Sequence, residues 1–281
     1  MSRKSTLSRV RAGIAAVAIA AFALTGCAPA DTAATDESAI TTITPGKLTI
    51  GTGLPAYEPW VVGDAPESGE GFEAAVAYAI AAELGFAAED VVWVRTTFDE
   101  AIAPGAKNFD FNLQQYTITE ERKANVDFSD PYYVTTQTVI TIEGSSAENA
   151  ASLADLSGLL VGAASGTTSF TSIEEFIKPT AGAQAFNSND DAKAALAAGQ
   201  IDALVVDLPT ALYLTCCDLE AGKILGQIAG AEGGDSFGLV LDKGSALTAA
   251  VNAAIKTLRD NGKLAELEKK WLTDTSAPVL K

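Results

Sequence analysis

The chain has 281 residues, is 48% hydrophobic and carries a formal charge of -17 with no histidine. That length suffices for one large domain or two modest ones with an ample apolar core. The acidic balance excludes nucleic-acid binding, which rests on basic residues neutralising phosphates, and the missing histidine excludes Ser-His and Cys-His catalysis and histidine metal ligation.

The first residues depart from the acidic average. "MSRKSTLSRVRAGIAAVAIAAFALTGC" holds Arg3, Lys4, Arg9 and Arg11, then an apolar run from Ala12 to Leu24, and no acid. A basic region followed by a short apolar one reads as a secretory signal; a spanning helix needs about 20 apolar residues. "LTGC" resembles a bacterial lipobox, which implies that residues 1–26 are removed and that Cys27 carries the lipid. Multiple acyl chains hold a protein stably on a membrane face without crossing it. "APADTAATDESAITTITPG", Ala28 to Gly46, is small and polar. It reads as a tether with a reach of roughly 24 Å.

The body begins with strand-like alternation at "KLTIGT", Lys47 to Thr52, followed by helical spacing from Gly71 to Phe86 with Gly85 as a stop. A strand at "VVWVR", a short helix from Phe98 and a strand at "FDFNLQ" come next. In "QYTITEERKANVDFSDPYY", Gln115 to Tyr133, Thr119 is placed to cap a short helix carrying Arg122. Further on, "LLVGAAS", "NDDAKAALAAGQ" and "IDALVVD" read as strand, helix and strand, so a second α/β unit spans about Ile140 to Phe237. Such alternation implies α/β sheets with right-handed crossovers. The end is a pair of amphipathic helices broken at Asn261 and Gly262, with Leu264, Leu267 and Trp271 on one face. Cys216 and Cys217 read as two half-buried thiols in a helix or loop, because adjacent cysteines can pair only through a strained ring. With no histidine and no further cysteine, they cannot complete a zinc set.

"IGTGLPAYEPW", "GFEAAVAYAIAAELG", "TITEERKANVDFSDPYY", "LADLSGLLVGAASGTT", "ALAAGQIDALVVD" and "LRDNGKLAELEKKW" occur in this order and cover nearly everything after the tether. The chain thereby resembles the extracellular solute-binding proteins of amino-acid ABC importers. The resemblance implies a two-lobed periplasmic-binding-protein-like fold of type 2, an α/β architecture in which two hinge strands join the lobes. Lobe 1 would comprise 47–139 and 239–281 and lobe 2 would comprise 140–238, after a 27–46 tether, with crossings near Gln137 to Ile142 and Phe237 to Leu241. It also implies a monomer that takes a free amino acid and presents it to the transmembrane subunit of an ABC permease, without cofactor, metal or nucleic acid.

A free amino acid presents a carboxylate and an ammonium, each needing a partner once water leaves. Carried over by motif, Arg122 grips the carboxylate through its planar fork, helped by Thr117, Gly166, Thr167 and Thr168. The alternative is a solvated arginine in a capped first turn. Asp207, ending "IDALVVD", is the candidate for the ammonium; alternatively it caps the helix that starts at Leu208 and Pro209. Tyr57, Trp60 and Phe98 match the family's aromatic positions, and Gln115 and Tyr116 complete the expected site. Gly53 and Val61 stand where binders of basic amino acids carry acids, and Gln114 and Gln115 replace small residues, so a neutral or polar ligand is expected. The competing readings are an enzyme on the same fold, such as a cyclohexadienyl dehydratase using Glu58 or Asp207 as its acid, and a sensor module, which calls for a spanning segment or a further domain.

Overall fold

The structure, a computed structural model, describes residues 40–229, 234–272 and 276–281. The expected signal, Cys27 and most of the expected tether lie outside these residues. From Ile40 onward the chain is not a free tether. Ile40 packs on the first core, and the Ile43 N–H donates to Asp110 Oδ1 at 2.8 Å. Ile40 explains part of the difference, since its side chain gains by burial, and the Asp110 carboxylate holds the backbone at Ile43, whose side chain stays exposed.

Two sheets organise the fold. The first runs in the order Val91–Thr96, Leu48–Gly53, Phe111–Asn112, Val240–Leu241, Asp127–Phe128. Its first three strands are parallel, and Val240 pairs antiparallel on both sides. The parallel part follows from the Phe72–Glu83 helix, which crosses between Leu48–Gly53 and Val91–Thr96 and buries Phe72, Val76, Ala77 and Ile80. Gly85, at φ +85°, lies just beyond that helix, as its sequence position predicts. The helices Thr248–Asp260 and Lys263–Trp271 bring Val251, Ile255, Leu258, Leu264 and Leu267 into the same core.

The second sheet runs in the order Val279–Leu280, Gly222–Ile228, Gln137–Ile142, Ala203–Asp207, Val161–Ala164, Gln184–Phe186. Alternate residues of its central strands feed two cores: Val139 and Val205 enter one, Ile140 and Leu204 the other. The expected α/β fold with two lobes is therefore present. The two lobes are joined where Tyr133–Thr135 pairs antiparallel with Asp235–Phe237. These crossings precede the expected positions; Gln137–Ile142 already runs inside the second sheet, between Gly222–Ile228 and Ala203–Asp207. The end of the chain also differs, because Val279–Leu280 pairs with Gln227 and Ile228 in the second sheet instead of staying on the first lobe.

Cys216 and Cys217 are not half-buried thiols. They form a disulfide and both are exposed, at the end of the turn that follows the Leu208–Tyr213 helix. Among the described residues no helix is long and apolar enough to cross a membrane, and no group of three or more His, Cys, Asp or Glu side chains is arranged to hold a metal ion.

The Leu48–Gly53 strand is built around one close approach. A Cβ on Gly51 would stand 2.2 Å from Nδ2 of Asn112, a fully buried side chain that donates to Thr96 Oγ1 at 2.9 Å. Gly51→Ala is expected to lower the unfolding free energy in urea by about 1–3 kcal/mol, the usual cost of overpacking. Gly158→Ala, on an exposed turn with nothing within 4 Å of the new Cβ, is expected to leave it unchanged.

Candidate functional site

Arg122 is at the centre of the junction between the lobes. Thr119 does cap the Glu120–Lys123 helix, its Oγ1 accepting from the Arg122 N–H at 3.2 Å. The arginine is nonetheless not solvated; it is 8% exposed. Its Nη1 donates to the Thr117 carbonyl at 2.7 Å, on the first lobe, and its Nη2 to the Gly166 carbonyl at 2.8 Å, on the second. The guanidinium carbon stands 5.1 Å from the centre of the Phe98 ring, within cation-π range. Burial pulls the group below its ordinary value, while the negative potential of Tyr116, Asp235 and Asp207 opposes that shift.

Other contacts close the junction around it. Thr117 Oγ1 lies 3.1 Å from Thr168 Oγ1 across the lobes. Thr167 caps the Thr168–Ser172 helix, accepting from the Phe170 N–H and donating to the Ala164 carbonyl, which sets the loop that presents Thr168. Gly166, at φ +72°, provides the left-handed turn just before it. Tyr57 of the first lobe hydrogen-bonds with the Ser188 side chain and the Asp190 backbone of the second, and burial raises its phenol above the usual value.

Between the lobes lies a cavity of about 110 Å³, whose walls include Tyr57, Phe98, Gln115, Arg122, Thr167, Thr168 and Asp207. It is several times the roughly 15 Å³ that one water requires. Thr117 and Gly166 stand behind the guanidinium and hold it. Two expected wall residues are not on the wall. Trp60 is fully buried among Phe72, Tyr133 and Phe237, and its Nε1 donates to Thr210 Oγ1 at 2.9 Å across the lobes. Tyr116 is fully buried as well, its ring 4.7 Å from that of Phe98 and its hydroxyl donating to Gln114 Oε1 at 2.8 Å. Both corrections have one cause: an aromatic ring in this setting gains more by filling a core than by facing water.

Asp207 stands at the N-cap position of the Leu208–Tyr213 helix, yet its side chain makes no capping bond. Its Oδ1 instead accepts from Gln137 Nε2 at 2.8 Å. Burial first, and the nearby Asp235 charge second, push its carboxyl well above the usual range, with Gln137 and Arg122 pulling it down. Asp202, by contrast, is structural, its Oδ2 accepting from the Leu160 N–H at 2.8 Å.

Sequence reasoning missed Gln137 and Asp235, and it gave Glu73 no role at the site. Glu73 is 1% exposed and accepts from the Gln115 N–H at 2.8 Å, from the Gln115 side-chain amide and from the Tyr132 hydroxyl. These bonds hold Gln115 at φ +51° on the cavity wall. The legible signal was an acid one residue inside an otherwise apolar helix face, at Phe72-Glu73-Ala74.

The chain is similar in sequence and fold to known proteins. The family model described as bacterial extracellular solute-binding proteins, family 3, matches residues 48–274. The ABC transporter glutamine-binding protein GlnH of Bacillus subtilis is 32% identical over 218 residues, covering 75% of this chain and 77% of that protein. The L-arginine-binding protein of Pseudomonas aeruginosa is 32% identical over 227 residues, covering 78% of this chain and 85% of that protein. Among solved structures, an ancestral arginine-binding protein bound to glutamine is similar with a TM-score of 0.70 at 31% identity, over 82% of this chain and all of that one.

Glu73 gives a pH prediction. Burial raises its carboxyl from 4.5 to about 7, against the lowering effect of its three hydrogen bonds. The folded state thus holds the proton more tightly than the unfolded one. Its stabilising contribution is complete below pH 4.5 and is lost as pH rises through 7. Relative to Glu73→Gln, the parent protein is expected to lose on the order of 3 kcal/mol of unfolding free energy between pH 4.5 and 8, read from urea melts at each pH.

Proposed function

The chain belongs to the bacterial extracellular solute-binding proteins, family 3, and from that premise we propose that it captures a free amino acid between its lobes and presents it to an ABC permease. The observation that carries this reading is the buried guanidinium of Arg122 at the cavity wall. Two of its N–H groups are spent on Thr117 and Gly166. Those that remain offer a carboxylate the paired, charge-assisted bonds that planar forks make. Asp207 supplies the charge for the ammonium, and Phe98 and Tyr57 cover the apolar part of the ligand. The family is one of solute-binding proteins, not of enzymes.

The side-chain end of the cavity favours a polar, uncharged amino acid. The Tyr116 hydroxyl occupies Gln114 Oε1, which turns the Gln114 Nε2 donors toward Gly53 and the cavity. Asn187, Ser188 and Asn189 extend the polar wall; among the described residues Arg122 is its one cation, and Asp99 stands with Asp207 as its acids. A side chain with an accepting oxygen and no charge of its own matches these groups. The relatives' names alone do not decide the ligand, because one is called glutamine-binding and another arginine-binding.

The lobes close over the ligand, whose contacts with both sides bias the equilibrium toward the closed form. Cys27 ties the mature protein to the outer face of the cell membrane by its lipid. The lobes divide within the ribbon, between Tyr133 and Gln137 on the way out and at Asp235–Phe237 on the way back, with the terminal strand on the second lobe.

A thermal-shift screen against free amino acids tests the reading. At a hundredfold excess over Kd a ligand adds about 2.7 kcal/mol, which raises Tm by roughly 5 °C or more in a chain of this size. The expected result is such a rise with polar uncharged amino acids; no rise with any amino acid would refute the reading. Arg122→Ala is expected to weaken the binding found by about a hundredfold, the loss of a charge-assisted pair, as read by calorimetry.

A further inference from the structure

Beside Asp207 the two lobes and the ribbon that joins them meet in one hydrogen-bonded group. Gln137 is 1% exposed and accepts from Ser169 Oγ at 2.6 Å through its Oε1. That bond fixes the orientation of the amide. Its Nε2 then donates to two carboxylates at once, Asp207 Oδ1 at 2.8 Å and Asp235 Oδ2 at 2.5 Å. The two accepting oxygens are no further apart than those two bonds laid end to end. Asp235 belongs to the returning strand of the ribbon, Asp235–Phe237, and its Oδ2 also accepts from Thr168 Oγ1 at 2.7 Å.

One cation faces this group against several acids. Arg122, from the Glu120–Lys123 helix, feels Asp235 and Asp207 together. Glu73, from the Phe72–Glu83 helix, adds negative charge, and Tyr132 and Tyr133 at the ribbon face Asp207 with phenols that burial holds protonated. In the proposed complex, the carboxylate of the amino acid takes up the charge of Arg122. The carboxylates then have only the ligand's ammonium to balance them. A second carboxylate this close to Asp207 favours its protonated form.

Resting on the amino-acid reading above, we propose that Asp207, held beside the Asp235 carboxylate by Gln137, keeps a proton in the empty cleft and releases it as the ligand's ammonium takes its place. The carboxyl O–H breaks, its proton passes to water or buffer, and the ammonium stays an ammonium. Capture is thereby linked to pH. Because Asp235 lies on the ribbon that joins the lobes, the ribbon helps set the charge at the ammonium end of the cavity.

Calorimetry of the protein with the amino acid that gives the thermal shift tests this, run at equal pH in two buffers of different ionisation enthalpy. Close to one proton released per ligand is expected below the titration of Asp207, with affinity rising up to about tenfold per pH unit. Asp235→Asn is expected to abolish most of that release while still binding; should it not fold, Asp235→Ser serves the same purpose. Equal heats in both buffers from pH 5 to 8, or unchanged release in the variants, would overturn the proposal. A carboxyl NMR titration of the ligand-free protein separates this from the functional reading. A raised Asp207 titration that Asp235→Asn lowers supports the proposal even if no amino acid binds, and an Asp207 titration in the ordinary carboxylate range that this variant leaves unmoved overturns it even if one does.

Discussion

A guanidinium that cannot lose its proton has to be surrounded by acceptors wherever it is buried. In this protein that requirement falls on Arg122, and its acceptors come from different lobes: the Thr117 carbonyl on one side and the Gly166 carbonyl on the other. Much of the local structure serves this condition. Thr119 starts the helix that aims the arginine, the left-handed turn at Gly166 presents its carbonyl, and Phe98 offers a ring face to the charge. Parting the lobes would exchange the Gly166 carbonyl for water at the guanidinium. Closure and the charge of the site are therefore one problem.

The opposite pole works by the same logic with the sign reversed. Asp207 is raised well above the carboxylate range because burial and Asp235 both oppose its charge. On the proposed reading a zwitterion would relieve both poles in one step, delivering a carboxylate to the arginine and an ammonium to Asp207. Among the described residues the lobes meet through polar contacts, including Trp60 with Thr210, Thr117 with Thr168 and Arg122 with Gly166. Contacts of that kind bias a hinge without locking it, so the ligand decides the balance.

Much of the fold was legible because periodicity reports burial. The Phe72–Glu83 helix, its Gly85 stop and the broken terminal helices stand where the apolar spacing puts them. The crossings were displaced because Tyr133–Thr135 and Asp235–Phe237 are too short for a period to register. At the site, Arg122, Asp207, Thr168 and Phe98 come together as the family resemblance implies, whereas Trp60 and Tyr116 turn inward. Sequence pattern places an aromatic on an element but does not tell a cavity wall from a core. Gln137 and Asp235 escaped notice for a different reason. One is a polar residue among threonines at the start of a buried strand and the other sits beside a glycine turn, and only their meeting across about a hundred residues gives them a role.

The central claim is that Arg122 and the Asp207 end of the cavity divide the two charges of one amino acid between them. A crystal structure of the protein with its bound amino acid tests it most directly. The account predicts the α-carboxylate within hydrogen-bond distance of the Arg122 guanidinium, the ammonium against Asp207, and both lobes closed over the ligand. A ligand seated elsewhere, or one whose carboxylate avoids Arg122, would contradict it.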